Sequence, residues 1–437
     1  MKMRYPEPIT WDVMFNAWVQ NRAEVGAEGL NEEVDDIQRQ LLGMLERIQS
    51  LPIDRELAAA EPDDLEEIRR LRPAERRKIG RPLGEAEYRD RLEGAFLARC
   101  AGCTLGSPVE LFPVEKMKAW AEYAGDSFPP VDYWRQVERP NELKYQMSPR
   151  SAFTRDGMDG VPTDDDIIFT QLGLLILEDY GPGFSVDDVG RAWLDYLPYA
   201  ETAEKVALRN LKSGVPALRA ATIDNPHDQW IGADIRSDPW GYAAAGLPEV
   251  AAELAYRDAY LSHRRNGIYG AMYFAAAIAA AFTVDDPVEA LHIGLDEIPS
   301  ECRFAQAVRW ALNVAPSITD YRVAHEAIGE YFKGMHRVHA INNACLTIWG
   351  LTIGGRDVTR VIGETVAMGY DNDCTAATAG SIVGAVVGRS GVPEHWWKNF
   401  NNKSLSYLNG HPHFAIDDLV DRFTVQAAAV RRHAFSD

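Results

Sequence analysis

Apolar residues recur along most of the chain with the spacing of an α-helix. A first pattern opens at Asn31, and its apolar members are Val34, Ile37, Leu41, Leu42, Leu45 and Ile48. A second lies in residues 167–177, with Ile168, Leu172, Leu175 and Ile176 on one helical face. Alternating runs of β-branched residues, which are typical of strands, are scarce. The pattern therefore predicts an all-α fold.

The N-terminal part of the chain differs in composition from the rest. Residues 49–86 are rich in charge and carry prolines, which is typical of a linker or arm with interrupted helices. From Tyr88 onward, apolar segments rich in alanine and glycine follow one another. We expect residues 1–86 to form a helical extension and residues 87–437 to form the main domain. Residues 107–160 interrupt the helical pattern, and a long irregular insert of this kind is often functional.

Small residues recur every four positions in two of the predicted helices. The two series are Gly94, Ala98 and Gly102, and Gly380, Gly384 and Gly388. Residues four apart lie on one helix face, so each series makes a ridge without large side chains. Because glycine inside a helix costs about 1 kcal/mol relative to alanine, its phased repetition favours close helix packing over flexible, broken helices.

Composition and charge exclude several classes of protein. The 437 residues are 46% hydrophobic and 25% charged, which is ordinary for a globular protein and unlike a disordered or fibrous one. The net charge of −20 is spread along the chain and is not confined to a tail. Such a surface repels phosphate backbones and anionic lipids, so we expect no nucleic-acid partner and no membrane partner. The oligomeric state stays open.

The number of cysteines and the lack of a recognisable signal peptide or membrane span bear on the expected cellular compartment. The number of cysteines, five, is odd, and this suits a reducing environment better than a disulfide framework. We find no apolar run long enough to span a membrane and no hydrophobic signal region at the start, so we expect a cytoplasmic protein. The one close pair, Cys100 and Cys103, lacks a second pair for zinc, which favours two small residues in a packed helix.

Two short acidic runs stand directly before apolar helices. They are Thr163-Asp164-Asp165-Asp166 and Asp371-Asn372-Asp373-Cys374. Acidic residues are favoured as N-caps and in the first helical turn, so helix capping is one interpretation. Consecutive aspartates repel one another, however, and aspartates that face one cleft need a counter-charge. A pair of Mg²⁺ or Mn²⁺ ions, which prefer oxygen ligands, would supply it, and the two interpretations are compatible.

These runs belong to an ordered series of motifs that resembles the ADP-ribosylglycohydrolase family. In chain order the motifs run from Leu92-Glu93-Gly94 through Gly102-Cys103-Thr104-Leu105-Gly106-Ser107-Pro108-Val109-Glu110, then Thr163-Asp164-Asp165-Asp166, Ser262-His263 with Gly267 and Gly270-Ala271, and Asp371-Asn372-Asp373-Cys374. The resemblance spans residues 87 to about 400. It implies an all-α orthogonal multi-helix bundle with a two-metal centre at one end of a cleft.

The resemblance also implies roles for individual residues. By motif position, two Mg²⁺ or Mn²⁺ ions would be bound by Thr163, Asp164, Asp165, Asp371 and Asp373. Asp371 or Asp373 would orient or deprotonate the attacking water, since a bound metal and a carboxylate can share that task. Glu110 matches a glutamate near the scissile bond and is the candidate acid or base, with an ordinary surface glutamate as the alternative.

Two cysteines mark departures from the family pattern. Cys374 stands in place of a threonine hydroxyl ligand, and Cys103 stands in place of an aspartate. Because thiols suit softer metals than Mg²⁺, the neighbouring Thr375 is an alternative last ligand.

Further residues are candidates for substrate binding. By motif position, Ser262, His263 and Gly270 would contact a diphosphate, although a lone histidine is more often structural. Asn342 and Asn343 are candidate hydrogen-bond donors to the ligand, and Arg236 is a candidate partner for a phosphate.

The resemblance predicts a metal-dependent hydrolase that cleaves the anomeric ribose bond of ADP-ribosylated proteins or ADP-ribose conjugates, through an oxocarbenium-like state. The substituted cysteines and the 107–160 insert motivate an alternative, a glycosidase acting on a nucleoside or another ribosylated small molecule. A module that binds ADP-ribose without cleaving it is a third hypothesis, from a different functional class.

Overall fold

A computed structural model describes residues 11–74 and 83–436 of the chain. The described residues are mostly helical and contain two small antiparallel two-stranded sheets, which confirms the predicted all-α class. The helices are α1 (Trp11–Glu24), α2 (Leu30–Gln49), α3 (Arg55–Ala60), α4 (Leu65–Leu71), α5 (Glu85–Gly106), α6 (Val114–Ala124), α7 (Asp165–Tyr180), α8 (Val186–Tyr196), α9 (Thr202–Lys212), α10 (Ala217–Ala220), α11 (Asp238–Ala243), α12 (Pro248–Ala259), α13 (Asn266–Ala281), α14 (Pro287–Gly294), α15 (Arg303–Val314), α16 (Tyr321–Tyr331), α17 (Ala340–Gly354), α18 (Val358–Ala367), α19 (Asn372–Val387) and α20 (Ile416–Ala434). The strands are β1 (Leu143–Lys144), β2 (Ser148–Pro149), β3 (Lys403–Leu408) and β4 (His411–Ala415).

The chain divides into two compact units, Met1–Ala59 and Ala60–Asp437. In the first unit, α2 covers the helix that the sequence predicts from Asn31. In the second unit, the segment that follows Ala60 packs on the helical body, because Glu61 is buried and accepts a 2.8 Å hydrogen bond from Arg303. The domain boundary expected after residue 86 stays a prediction.

Helices α5 and α19 pack so closely that their backbones touch. A Cβ atom on Gly94 would lie 2.5 Å from the backbone carbonyl carbon of Gly388. A Cβ atom on Gly102 would lie 2.1 Å from the carbonyl oxygen of Ala376. No side chain fits at these positions without moving backbone, so the close packing predicted from the phased glycines is confirmed.

The core surrounds this helix pair. All residues of α13 are buried, as expected for an alanine-rich helix that is apolar on every side. In α7, residues 166–177 are buried all round, so the predicted apolar face is correct but the opposite face is buried as well. All five cysteines are free and buried, and Cys100 and Cys103 lie within α5 as predicted. Among the described residues, no helix has both the length and the apolar character needed to cross a bilayer.

The 107–160 insert is less irregular than predicted, because it contains α6 and the hairpin of β1 and β2. The strands pair Leu143 with Pro149 and Lys144 with Ser148. Tyr145, with a φ of 49°, and the residue after it adopt the left-handed region, which turns the chain sharply between the strands. The turn sets the positions of Lys144 and Tyr145 at the site described next.

Candidate functional site

Both acidic runs lie at helix N-termini, as predicted. Asp164 is the N-cap of α7, and its carboxylate accepts a 3.2 Å hydrogen bond from the backbone nitrogen of Asp166. Asp371 is the N-cap residue of α19, and Asp373 lies in the first turn. A helix N-terminus favours negative charge, which stabilises the acids there. The end of α5 abuts the second run, because a Cβ atom on Gly106 would lie 2.5 Å from the Cα of Asp373.

The two runs and the end of α5 bring their acidic and thiol groups together. Three groups have ligand atoms within 4.8 Å of one another, namely Cys103 with Asp164 and Asp166, Asp166 with Asp373 and Cys374, and Glu110 with Asp371 and Asp373. We call these seven residues the acid cluster. Four of the predicted site residues, Glu110, Asp164, Asp371 and Asp373, belong to it. The carboxylate of Asp165 instead accepts a 2.5 Å hydrogen bond from the Tyr145 hydroxyl.

Several buried oxygens of the site have no hydrogen-bond partner among the residues that the structure describes. They are Thr163 Oγ1, Asp166 Oδ1, Asp371 Oδ1, Asp373 Oδ1 and Thr375 Oγ1. Leaving a buried polar atom unsatisfied costs roughly 1–3 kcal/mol, so each is an unusual feature. Oxygen atoms of carboxylates and hydroxyls are the ligands that Mg²⁺ and Mn²⁺ prefer, and the donor set therefore fits a divalent ion.

The buried carboxyl groups of the acid cluster repel one another, so a nearby positive charge would stabilise their ionised forms. Burial raises the pKa values of Asp166 and Asp371 well above their usual range, and repulsion from neighbouring aspartates adds to this. Repulsion from Asp373, together with burial, raises the pKa of Glu110 to about 7. A carboxyl group with such a pKa can hold and release a proton near neutral pH, which suits an acid or base.

Lys144 supplies a positive charge inside the acid cluster. Its Nζ lies 2.7 Å from Asp164 Oδ2, 3.5 Å from Asp373 Oδ2 and 3.6 Å from Glu110 Oε2. Burial opposes ionisation of Asp164, yet Lys144 and Ser107 hold the pKa of that carboxyl below its usual value. The irregular composition of the insert marks that segment as a functional candidate, but no sequence motif marks Lys144 within it.

A cavity of about 410 Å³ opens beside Glu110 and Lys144, within the size range of small-molecule sites. Its charged lining residues are Glu110, Glu142, Lys144, Arg150 and Glu201. The insert contributes four of these, Glu110, Glu142, Lys144 and Arg150, so this segment forms part of the cavity wall.

Three predicted substrate-binding residues lie together in a different buried network. Arg236 donates hydrogen bonds to Asp258 at 2.7 Å, to Glu204 at 2.8 Å and to Ser262 Oγ at 3.0 Å. The Ser262 hydroxyl is 2.8 Å from Nδ1 of His263. Burial and nearby arginines hold the pKa of His263 well below its usual value, which favours the neutral imidazole. The guanidinium of Arg236 is thus engaged by two carboxylates, and a role at a phosphate stays a prediction.

The remaining predicted residues have separate environments. A Cβ atom on Gly270 would lie 2.1 Å from Oδ1 of the buried Asp234, so the position accepts only glycine without rearrangement. The side chain of Asn342 donates to a backbone carbonyl six residues earlier. Its neighbour Asn343 contacts the acid cluster directly, because its Oδ1 accepts a 3.3 Å hydrogen bond from the backbone nitrogen of Asp371.

Comparison with known proteins gives a family match and a similar fold. The family model described as ADP-ribosylglycohydrolase matches residues 84–431. A solved structure described as an ADP-ribosylglycohydrolase-related protein complex is similar, with a TM-score of 0.53 and 19% identity over 79% of this chain and 99% of that chain. At this identity the likeness concerns the fold alone. A search of curated proteins finds no match.

Proposed function

The chain belongs to the ADP-ribosylglycohydrolase family, and from this membership we propose that it hydrolyses the anomeric bond of ADP-ribose attached to a protein side chain or a small group. One observation carries the proposal. The carboxyl groups of Glu110, Asp371 and Asp373 meet within 4.8 Å beside a cavity. Grouped carboxyl groups, one able to carry a proton, are what glycosidic cleavage requires.

The family is metal-dependent in general, and the buried acidic and thiol groups of this chain suit metal binding. We propose that Asp371 and Asp373 hold Mg²⁺ or Mn²⁺, because their ligand atoms lie within 4.8 Å of one another and each residue has an oxygen without a hydrogen-bond partner among the described residues. A bound ion of this type orients ribose hydroxyls and polarises a water molecule.

The side chains of the acid cluster perform the proton transfers. Glu110, whose pKa lies at about 7, donates its proton to the leaving group as the anomeric bond breaks. The water that attacks the anomeric carbon gives up its proton to Asp371 or Asp373. Asn343 holds the loop before α19 in place through the backbone of Asp371, and so positions this carboxylate.

The experiment measures release of ADP-ribose from ADP-ribosylated arginine and serine peptides in the presence of Mn²⁺. Replacing Glu110 with glutamine is expected to lower the rate by about 10²–10⁴-fold, the usual contribution of general acid catalysis. Glu115→Gln is the matched control, because Glu115 is exposed on α6. Absence of release by a wild-type chain that has bound Mn²⁺ would refute the proposed substrate.

The charged residues that line the cavity favour a second candidate substrate, a riboside without a diphosphate. Three glutamates face the cavity, and both of its cations are engaged. Lys144 contacts Asp164, and Arg150 donates a 2.7 Å hydrogen bond to the carbonyl oxygen of Pro108. A diphosphate would find both of these lining cations already engaged by protein groups, whereas a neutral or cationic aglycone needs no cation there. Turnover of ADP-ribosyl peptides, with none in a parallel panel of nucleosides, would contradict this candidate.

A further inference from the structure

The ammonium of Lys144 lies between the two acidic runs. It contacts Asp164 Oδ2 of the first run at 2.7 Å and Asp373 Oδ2 of the second at 3.5 Å. These are two of the residues that family resemblance assigns to metal binding. The ammonium therefore stands where a cation bridging the runs would be held.

The surroundings of Lys144 show that the ammonium is a fixed part of the site. Its side chain is only 15% exposed, and its Nζ also donates to Ser107 Oγ at 2.5 Å. The two acids and the serine use the three N–H donors of an ammonium. The aromatic ring of Phe153, with its centroid 5.9 Å from Nζ, closes another side.

The two carboxylate oxygens of Asp373 have different surroundings. Oδ2 faces the ammonium, whereas Oδ1 is buried and has no hydrogen-bond partner in the described part of the chain. Asp371 Oδ1 is also buried without a partner there, whereas Asp166 Oδ1 lies 3.8 Å from the buried guanidinium of Arg99. The acid cluster thus has one region that contacts the lysine and a second region, at Oδ1 of Asp371 and of Asp373, whose oxygens have no hydrogen-bond partner among the described residues.

We propose that Lys144 takes the place of one divalent ion, so that the site combines this resident ammonium with a single divalent ion bound by Asp371 and Asp373. The inference rests on the proposed function for its set of metal ligands. A divalent ion between Asp164 and Asp373 and the ammonium exclude each other, because both are cations competing for the same carboxylate oxygens. The expectation of two ions from family resemblance changes to one.

The test is the stoichiometry of Mn²⁺ binding to the full chain, measured by titration calorimetry and by electron paramagnetic resonance. The wild type is expected to bind one Mn²⁺ with the six-line spectrum of an isolated ion. Lys144→Met, which keeps the length of the side chain and removes its charge, is expected to bind two, with a spin-coupled spectrum. Lys144→Arg keeps the charge and is expected to bind one.

Lys116→Met is the matched control, because Lys116 lies in the same insert but pairs with the surface residue Glu138 at 3.2 Å. It is expected to bind one Mn²⁺, like the wild type. Two ions in the wild type would overturn the inference, and so would equal stoichiometry, zero included, in the wild type and Lys144→Met. If circular dichroism shows that Lys144→Met is unfolded, the number of ions in the wild type decides alone.

The metal-binding test of Lys144 and the activity test of the proposed function can succeed or fail independently. A wild-type chain that binds one Mn²⁺ and releases no ADP-ribose would refute the proposed substrate but leave the role of Lys144 standing. A chain that binds two and releases ADP-ribose would do the reverse.

Discussion

Replacing Gly102 with alanine places a methyl group between α5 and α19. The new Cβ atom would lie 2.1 Å from the carbonyl oxygen of Ala376 and 2.4 Å from its carbonyl carbon. Both obstructing atoms are backbone, so no side chain can rotate away to make room. The helices must separate by about 1 Å, and a gap of that size forfeits a quarter to a half of the dispersion energy at each affected contact.

The magnitude follows from two opposing effects. Overpacking a well-packed core costs about 1–3 kcal/mol, and the rigid obstruction at Gly102 places this site near the upper end. Alanine is a better helix former than glycine by about 1 kcal/mol, which offsets part of the loss. We expect a net loss of about 2 kcal/mol in the free energy of unfolding. Because Ala376 lies one turn after Asp373, the displacement also weakens metal binding.

The assay is urea denaturation followed by circular dichroism, with thermal melts in parallel. A loss of about 2 kcal/mol corresponds to a decrease of roughly 2–3 °C in Tm for a unit of this size. Gly329→Ala in α16 is the matched control, since a Cβ atom there meets nothing within 4 Å. It is expected to raise stability by about 0.4–1 kcal/mol. A Gly102→Ala variant as stable as the wild type would refute the reasoning.

Two further predictions concern stability. Arg99→Met leaves the buried Asp238, which lies 2.7 Å from the guanidinium, without its ion-pair partner and should lower the free energy of unfolding by about 3–5 kcal/mol. Arg89→Met breaks an ion pair at the surface and should lower it by at most about 1 kcal/mol. Equal losses for the two variants in urea denaturation would contradict this prediction. Asp320→Ala removes the N-cap of α16 and should cost about 1 kcal/mol at neutral pH, whereas Asp320→Asn keeps a capping oxygen and should lose only the part of the stabilisation that depends on the negative charge. Hydrogen bonding to Arg322 lowers the pKa of Asp320 from 3.8 to about 2, so this stabilisation is present above 3.8 and is lost as pH falls towards 2. Melting curves of Asp320→Ala and the wild type should therefore converge in acid, and a constant difference would refute the assignment.

The sequence was sufficient to predict features that depend on local spacing. The helix after Asp164 and the helix after Asp371 were both predicted, because N-capping and helical periodicity act within a few residues. Close backbone approach at Gly94 and at Gly384 was predicted, because a ridge of small residues favours close helix packing, but the sequence did not show that these two ridges contact each other.

The sequence did not determine which consecutive aspartate belongs to the acid cluster. Successive residues of a helix point about 100° apart, so Asp165 and Asp166 face different neighbours. Asp165 meets Tyr145, and Asp166 meets Cys374, whose thiol donates to it at 3.3 Å. A decision between them requires the rotation of α7 relative to α19, which is a tertiary property.

For Lys144 and Arg236, too, the sequence does not predict which residues they contact in the fold. Lys144 lies 229 residues from Asp373 in the chain, in a segment with no periodicity to place it. The sequence offers Arg236 as a candidate partner for a phosphate, which stays a prediction, but it does not show that this residue pairs with Glu204 of α9 and Asp258 of α12. Nothing in the sequence indicates that these helices meet around one arginine.

The five buried thiols can be used to measure local opening of the helical packing. A thiol reacts with an alkylating reagent as its thiolate, and burial raises the pKa values of Cys100, Cys302 and Cys345 far above their usual range. Alkylation of the native chain must therefore wait until the surrounding helices part. Mass spectrometry of partially alkylated chains would give the order in which the five sites open. Cys374, inside the acid cluster, would show whether a divalent ion slows the opening of that end of α19.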